Sequence, residues 1–357
     1  MGGLFKRLKN FANKKDVKIS LKRYGIDAMS AMAQGLFASL LIGTILNTIG
    51  TQFHIEVLNQ VGSFAMSSAG VAMAIAIGYA LKAPPLVLFS LATVGAAANS
   101  LGGAGGPLAV LIIAILSAEI GKLVSKETKV DIIVTPAATI VFGVALSILI
   151  APGIGYVASS IGTAIMWATE LHPFLMGIIV AVLVGIALTL PISSAAICAA
   201  LSLTGLAGGA AVAGCCSHMI SFAVASFKEN KIGGLISQGI GTSMLQMGNI
   251  VKNVKIAIPA IVASAITGPV ATCIFKMQMN GPAISSGMGT SGLVGPIGVY
   301  SGWVSDIANG SKAMITAMDW IGLLLICIVL PAIIAWVVNK ILRNIGWIKD
   351  GDMKLDL

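Results

Sequence analysis

Charged residues are scarce in this chain. Only 10% of its 357 residues are Asp, Glu, Lys or Arg, whereas 57% are hydrophobic. A soluble globular domain carries about 25% charged residues. The shortage excludes an ordinary soluble domain and predicts an all-α polytopic membrane protein. Glycine, at 42 residues, is plentiful, and small side chains let transmembrane helices approach one another closely.

Cysteine is also rare, and the motifs of covalent or metal chemistry are missing. The five cysteines have neither the spacing of a zinc site nor that of a secreted disulfide framework, so we expect small buried hydrophobes. The patterns of a P-loop, G-x-S-x-G, H-E-x-x-H and C-x-x-C are absent from the sequence. The sequence therefore predicts no catalytic residues, no metal site and no cofactor in this chain.

The formal net charge of +9 would suit a nucleic-acid-binding protein, but the distribution of Lys and Arg favours another explanation. These residues cluster at the chain ends and in loops, and eight of them precede residue 25. Positive charge beside a first span holds that end in the cytoplasm. We therefore expect residues 1–25 to be a basic cytoplasmic segment, residues 341–357 to be a cytoplasmic tail, and no nucleic-acid partner.

Hydrophobic runs predict about ten transmembrane helices, with both chain ends on the cytoplasmic side. Residues 152–171 lack basic side chains and are expected to form an external, interfacial segment. We divide the membrane region into an N-terminal half, 26–171, and a C-terminal half, 172–340. The expected crossing segments are 28–49, 62–81, 86–100, 107–124, 131–150, 173–190, 206–227, 256–275 and 313–338.

Two stretches combine apolar character with residues that interrupt helices. Residues 280–300 read N-G-P-A-I-S-S-G-M-G-T-S-G-L-V-G-P-I-G-V-Y, and the shorter stretch is 191–205. Glycine inside a helix costs about 1 kcal/mol and proline about 3 kcal/mol. Irregular backbone at membrane depth survives only inside protein or beside a water-filled cavity. We expect two re-entrant hairpins here, at the kind of position where transporters bind substrate.

Neutral polar side chains on these stretches are the leading candidates for substrate contacts. Amides and hydroxyls, rather than paired charges, suit a neutral polyhydroxylated ligand. The alternative is that the hydroxyls bond to nearby backbone and hold helices together. The candidates are Asn280, Ser285, Ser286, Thr290 and Ser291, with Ser193 and Ser194 on the shorter stretch, and Gln246 and Asn249 on one face of a possible amphipathic helix.

Few ionisable residues fall inside apolar runs. Glu170 and His172, in T-E-L-H-P-F, precede a predicted helix start, where a carboxylate beside an imidazole can grip hydroxyls or move a proton. Simple interfacial placement is the alternative. His218 is expected to be a hydrogen-bonded core residue rather than a ligand. Glu119 and Lys122 are expected to form an interfacial i,i+3 pair.

An internal echo links the two halves of the sequence. Residues 103–110, G-A-G-G-P-L-A-V, and residues 292–299, G-L-V-G-P-I-G-V, share the pattern G-x-x-G-P-φ-small-V. Paired interruptions in two halves are typical of inverted-repeat transporters. In a chain this rich in Gly, Ala and Val, chance is the alternative explanation.

At these motifs the chain resembles the membrane (IIC) component of the bacterial phosphotransferase system. It is similar above all to the stand-alone IIC-like group that includes the perfringolysin O regulator-type membrane proteins. The resembling pieces are residues 106–136, 189–197 (T-L-P-I-S-S-A-A-I), 238–249 (Q-G-I-G-T-S-M-L-Q-M-G-N) and the run from 280.

The resemblance implies a homodimer in the bacterial plasma membrane, built from bundles of about ten helices. The N-terminal half would be scaffold and dimer contact, and the C-terminal half would hold a sugar between two re-entrant hairpins. In glucose-type IIC proteins a Glu and a His contact the sugar, so Glu170 and His172 are candidates, although their surroundings differ from that motif. No stretch is long or polar enough to be a IIB domain. Either IIB is a separate chain, or the protein transports or senses without phosphorylation.

These observations predict a transporter of a small polar solute, foremost a sugar, that works by alternating access. At most it is the permease subunit of a sugar phosphotransferase. The rival is a ligand-sensing membrane regulator that docks a partner on its basic N-terminus and on residues 228–255. An ion channel ranks third, because no acidic residue that would form a selectivity ring lies in residues 280–300.

Overall fold

The computed structural model describes residues 10–355, and most of them are helical. Residues 1–9 of the predicted basic segment and residues 356–357 of the predicted tail lie outside that range. Apart from one isolated pair, Gly205 with Met279, no β pairing occurs within residues 10–355. The helices are α1 (Lys22–Gln52), α2 (Glu56–Ser67), α3 (Ala69–Ala80), α4 (Pro85–Gly102), α5 (Gly106–Val124), α6 (Asp131–Thr169), α7 (Pro173–Thr189), α8 (Ser194–Ala200), α9 (Gly205–Ala225), α10 (Phe227–Ile236), α11 (Met247–Lys252), α12 (Val254–Ile274), α13 (Val294–Ala308) and α14 (Ala317–Asn344).

The lengths of these helices confirm a polytopic, all-α membrane protein. Within residues 10–355, six helical runs are long and apolar enough to cross a membrane, or up to seven if α2 and α3, bent by 49°, form one broken span. One of the six is the joined run of α4 and α5, which folds back on itself, and α7 is only slightly shorter than a span. Counting the two arms separately and including α7 brings the number close to the ten expected.

The chain forms two compact units. The first contains residues 10–40 and Ser67–Tyr156, and the second contains Leu41–Met66 and residues 157–355. These units do not follow the division at residue 171, because Leu41–Met66 belongs with the second unit. The expected roles of the two sequence halves, scaffold and substrate binding, stay predictions.

In the first unit, α3 packs against α1, α4 and α5. Small residues allow this close packing: a Cβ on Gly35 would lie 2.6 Å from the carbonyl oxygen of Ala72, and a Cβ on Gly95 would lie 2.5 Å from the Cβ of Ala74. The chain turns between α4 and α5 at Gly103, whose φ of +50° is accessible to glycine at little cost. The turn thus falls between the expected crossing segments 86–100 and 107–124.

A buried ion cluster joins the ends of helices in the first unit. Lys122 pairs with Glu119 at 3.1 Å and donates to the carbonyl of Leu81 at 3.1 Å, at the C-terminal end of α3. Arg23 donates to the same carbonyl at 2.6 Å and to Asp16 at 2.9 Å. The hydrogen bond from Arg23 lowers the pKa of Asp16. The predicted i,i+3 pair is confirmed, and Lys122 is only 2% exposed. Its placement at the membrane interface stays a prediction.

In the second unit, α9 is the central helix and packs against α7, α12 and α14. Helix α9 is buried along most of its length. A side chain on Gly214 of α9 would collide with the backbone of Ala181 in α7, and one on Gly268 of α12 would collide with the backbone of Gly177. Glycine at these crossings brings helix backbones into contact, as expected for a membrane bundle.

The segment expected to be external and interfacial, residues 152–171, is helical and continuous with the crossing before it, and its position relative to the membrane stays a prediction. Helix α6 continues through Pro136 and Pro152 to Thr169. A proline removes one helical hydrogen bond and bends a helix, but neighbouring groups can satisfy the freed carbonyl, so a long apolar helix continues past it. Pro152, which the sequence suggested as a boundary between two segments, therefore lies inside one continuous helix.

Candidate functional site

The two interrupted stretches contact each other in the second unit. The backbone N–H of Gly205 donates to the Met279 carbonyl at 3.0 Å, and the N–H of Met279 donates to the Gly205 carbonyl at 2.9 Å. The Ser194 hydroxyl donates to the Gly287 carbonyl at 2.7 Å, and the Ser286 hydroxyl donates to the Leu203 carbonyl at 2.7 Å. We call these six residues the hairpin junction.

Glycine explains why the longer stretch folds as it does. A Cβ on Gly287 would lie 2.5 Å from the carbonyl oxygen of Ser194. Gly289 and Gly292 have φ of +54° and +52°, and Leu293 follows at +59°. A left-handed conformation costs a non-glycine residue roughly 1–2 kcal/mol. Strain of this kind is concentrated at binding and switch regions.

The internal echo has a structural counterpart. Gly103 and Gly292, the first residues of the two matching stretches, have φ of +50° and +52°. Each is soon followed by a helix with a proline near its start, α5 at Pro107 and α13 at Pro296. The shared pattern therefore encodes the same local turn before a helix, while an inverted repeat of larger elements stays a prediction.

Three of the predicted hydroxyl groups form hydrogen bonds with backbone atoms of the protein. Ser194 and Ser286 bridge the hairpin junction, and Ser193 accepts a hydrogen bond from the N–H of Ala196 at 3.2 Å, capping α8. The packing alternative thus accounts for their bonds in this conformation. Their role in binding substrate stays a prediction.

The remaining hydroxyl groups of the longer stretch make weaker or fewer hydrogen bonds within the protein. Ser285, Thr290 and Ser291 are all buried. The Thr290 hydroxyl contacts the sulfur of Met219 at 3.5 Å, which is a weak partner. The Ser291 hydroxyl has no hydrogen-bond partner among residues 10–355. A buried polar group of this kind retains capacity to bind a ligand or water.

A second polar group lies on α9, in the same unit. His218 Nδ1 lies 2.9 Å from the Thr189 hydroxyl, which lies 2.9 Å from the Ser243 hydroxyl. Ring atom Nε2 of His218 is buried and has no partner within the described chain. The predicted hydrogen-bonded core position of His218 is confirmed, while the expectation that it is not a ligand stays a prediction. Thr189 and Ser243 were missed as partners, although both fall inside the motifs 189–197 and 238–249.

Asn280 lies at the start of the longer stretch and points away from the other candidates. Its side-chain amide donates to Asp306 of α13 at 2.8 Å and to Gln278 at 3.1 Å. Asp306 was not predicted as a site residue, because nothing in the sequence distinguishes an acid in a helix end from a solvated one.

Gln246 and Asn249 bind the C-terminal tail. Gln246 Nε2 donates to the Met353 carbonyl and to Gln238 Oε1, both at 2.9 Å. Asn249 Nδ2 donates to the Lys354 carbonyl at 2.8 Å and to Gln246 Oε1 at 2.9 Å. A carboxamide has two N–H donors, and here both are used on each residue. Their predicted contact with substrate would require the tail to move.

The same tail is anchored by apolar and ionic contacts. Met353 is fully buried in a cluster with Phe222 and Ile256. Lys228 donates to Asp350 at 2.6 Å, and this hydrogen bond lowers the pKa of Asp350. We call the bonds that Gln238, Gln246 and Asn249 make among themselves and to Met353 and Lys354 the tail clasp.

Glu170 and His172 lie apart from the hairpin junction. Both side chains are exposed, and neither makes a hydrogen bond or ion pair with another described residue. His172 sits at the start of α7. Their proposed contact with a sugar stays a prediction.

Comparison with known proteins gives one match. A family model described as "Phosphotransferase system, EIIC" covers residues 26–355. No curated protein and no solved structure matches the chain.

Proposed function

This chain belongs to the phosphotransferase system EIIC family, and from that premise we propose that it carries a sugar across the membrane by alternating access around the hairpin junction. The family implies a multi-pass membrane permease for a sugar-like substrate. The identity of the sugar and the alternating-access mechanism are parts of our proposal.

The observation that carries the proposal is the pairing of the two interrupted stretches. Irregular backbone in an apolar bundle is costly unless it is buried in protein or lines a water-filled cavity, and transporters place their binding sites at such interruptions. Here it is fixed by the bonds of Ser194, Ser286 and the Gly205–Met279 pair. Because the two stretches are bonded together, they are expected to move as one element when the binding site changes sides.

The free polar atoms suggest how the substrate is held. The Ser291 hydroxyl and His218 Nε2 are buried without partners among the described residues. Leaving such a group unpaired costs about 1–3 kcal/mol. A sugar hydroxyl both donates and accepts, so it would pair with either group in the occluded state. Binding that differs between the inward-open and outward-open states then drives the change.

The partners follow from what the chain contains. A IIB protein, as a separate chain, would supply the phosphoryl group on the cytoplasmic side, and residues 228–255 are the proposed docking surface. The protein would act as a homodimer in the bacterial plasma membrane, with both termini in the cytoplasm.

The test is uptake of labelled sugars by the full chain in proteoliposomes, with and without a IIB protein. We expect uptake of at least one sugar, and its loss in Ser286→Ala and Ser194→Ala. Ser305→Ala, a change at an exposed serine of α13, is the matched control and should leave uptake unchanged.

Two results would contradict the proposal. Uptake insensitive to both junction substitutions would remove the junction from the transport path. Sugar binding without uptake, in the presence and absence of IIB, would favour the ligand-sensing regulator instead.

A further inference from the structure

A polar cavity opens beside the hairpin junction in the second unit. Its volume is about 210 Å³, and its walls come from residues 275–278, the end of α13 and the start of α14. The residues that matter for binding are Lys276, Gln278, Trp303, Asp306, Lys312 and Asp319. None of them belongs to the hairpin junction or to the predicted site.

We propose that this α13–α14 cavity is a second binding site, which takes a neutral polyhydroxylated solute before it reaches the hairpin junction. The proposal deepens the proposed function and rests on it for the identity of the transported solute. The cavity and its chemistry are independent of that function.

The cavity contains two cationic and two anionic side chains, but only one cation and one anion form an ion pair. Lys312 forms an ion pair with Asp319 at 2.9 Å, which leaves Lys276 and Asp306. Lys276 makes no hydrogen bond or ion pair with any residue in 10–355, and only one carboxylate oxygen of Asp306 accepts a side-chain bond. The cavity therefore offers one free cationic donor and one free anionic acceptor.

Hydroxyl groups match this arrangement. A hydroxyl donates to a carboxylate and accepts from an ammonium, so one solute with several hydroxyls can satisfy both Asp306 and Lys276. Bonds to charged groups are the stronger class of hydrogen bond. A solute with a large net charge would leave one of the two groups repelled.

An aromatic ring forms part of the wall. Trp303 stacks edge-on against Trp320, with ring centroids 5.4 Å apart, and the ammonium of Lys312 lies 5.9 Å from the Trp303 ring. These contacts hold the indole in place, and only 4% of Trp303 is exposed. The residue also gives the cavity a spectroscopic reporter.

Asn280 links the cavity to the longer interrupted stretch. Its amide bonds to Asp306 at 2.8 Å, and a Cβ on Gly302 of α13 would lie 2.8 Å from the backbone nitrogen of Asn280. A solute that binds Asp306 competes with or reorients Asn280. Occupancy of the cavity is thereby communicated to the stretch that carries Ser286 and Ser291.

The experiment is a binding titration on the purified full chain in nanodiscs, read by calorimetry and by tryptophan fluorescence. The panel contains hexoses, disaccharides and sorbitol, with glycine betaine and glutamine as zwitterionic probes. We expect a sugar or polyol to bind, and Asp306→Asn and Lys276→Met to weaken that binding about tenfold or more each. Trp303→Phe should remove the fluorescence change, and Gln278→Ala is a milder variant if Trp303→Phe does not fold.

Matched controls are Asp27→Asn and Lys129→Met, exposed charged residues outside the cavity, which should bind as the wild type does. A sugar affinity that is unchanged in Asp306→Asn and Lys276→Met would overturn the inference. So would binding of the zwitterions alone, or no binding by any probe.

The failure of this inference is distinguishable from that of the proposed function. If binding depends on Asp306 while uptake is absent, the transport proposal is contradicted and the cavity site is supported. Binding and uptake that depend on Ser286 but not on Asp306 support the transport proposal and contradict the cavity site.

Discussion

The tail clasp and the polar groups of the longer interrupted stretch and α9 are both buried in the second unit, but they use their hydrogen-bonding groups differently. In the tail clasp, both N–H donors of Gln246 and both of Asn249 are used within the protein. On the longer stretch and on α9, the hydroxyl of Ser291 and Nε2 of His218 have no partner among residues 10–355.

This difference separates a region that holds itself together from one that retains capacity to bind. An amide with every donor used contributes stability and cannot also contact a solute. A hydroxyl left over in a buried site costs free energy until a ligand or water satisfies it. The contrast gives four predictions, from the largest effect to the smallest.

Gln246→Leu should have the largest effect, because it leaves the Met353 carbonyl, Gln238 Oε1 and Asn249 Nδ2 without their partner. Each buried group left unpaired costs about 1–3 kcal/mol. Thermal unfolding in detergent should show a large fall in Tm. Gln52→Leu, at an exposed glutamine of α1, is the control, and an equal Tm for both variants would contradict a closed clasp.

Ser286→Ala should cost about 1–3 kcal/mol, because it leaves the Leu203 carbonyl unpaired at the junction. The same unfolding assay measures it, with Ser305→Ala as the control. If stability were unchanged, the bond between the two stretches would contribute nothing to holding them together.

Ser291→Ala sharpens the comparison, because here the hydroxyl has no partner to lose. Because an unpaired buried hydroxyl costs about 1–3 kcal/mol, we expect no loss of stability, up to a gain of that size, and weaker sugar binding. Stability is read from Tm and binding from calorimetry. A destabilisation as large as that of Ser286→Ala would show that Ser291 is a structural group.

The smallest predicted effect is a change in the pH dependence of Tm, caused by Asp350 in the tail. The pKa of Asp350 is lowered by the hydrogen bond from Lys228, so this carboxylate stabilises the folded state above its ordinary pKa of about 3.9. That contribution is lost as the pH falls through the lowered value. Asp350→Asn should therefore reduce the difference in Tm between pH 7 and pH 3, and this change should shrink in high salt. Glu56→Gln, an exposed acid on α2, should not change that difference.

The sequence located the two interrupted stretches but not their partners. Gly287, Gly289 and Pro282 mark local backbone that cannot be regular helix, and such signals are readable in the sequence because they act within a few residues. The bond from Ser286 to Leu203 joins residues 83 positions apart, through a backbone carbonyl. A carbonyl is present at every residue, so no sequence pattern identifies the one that is used.

The same reasoning explains the tail. Gln246 and Asn249 have the spacing of one helical face, which suggested a ligand surface. In the structure, α11 ends at Lys252 and Asn253 is extended, with φ −145° and ψ 95°. Their shared direction is real but faces the tail, whose acceptors are again backbone carbonyls.

The tail clasp also has a consequence for how the protein is made. Gln246 and the carbonyl of Met353 that it binds are 107 residues apart. Ribosomes add about 5–20 residues per second, so roughly 5–20 s pass between the synthesis of the two partners. During that interval the amides of Gln246 and Asn249 have no tail to bind. This end of the second unit therefore closes only after most of its membrane helices have been inserted, as one of the last steps of biogenesis.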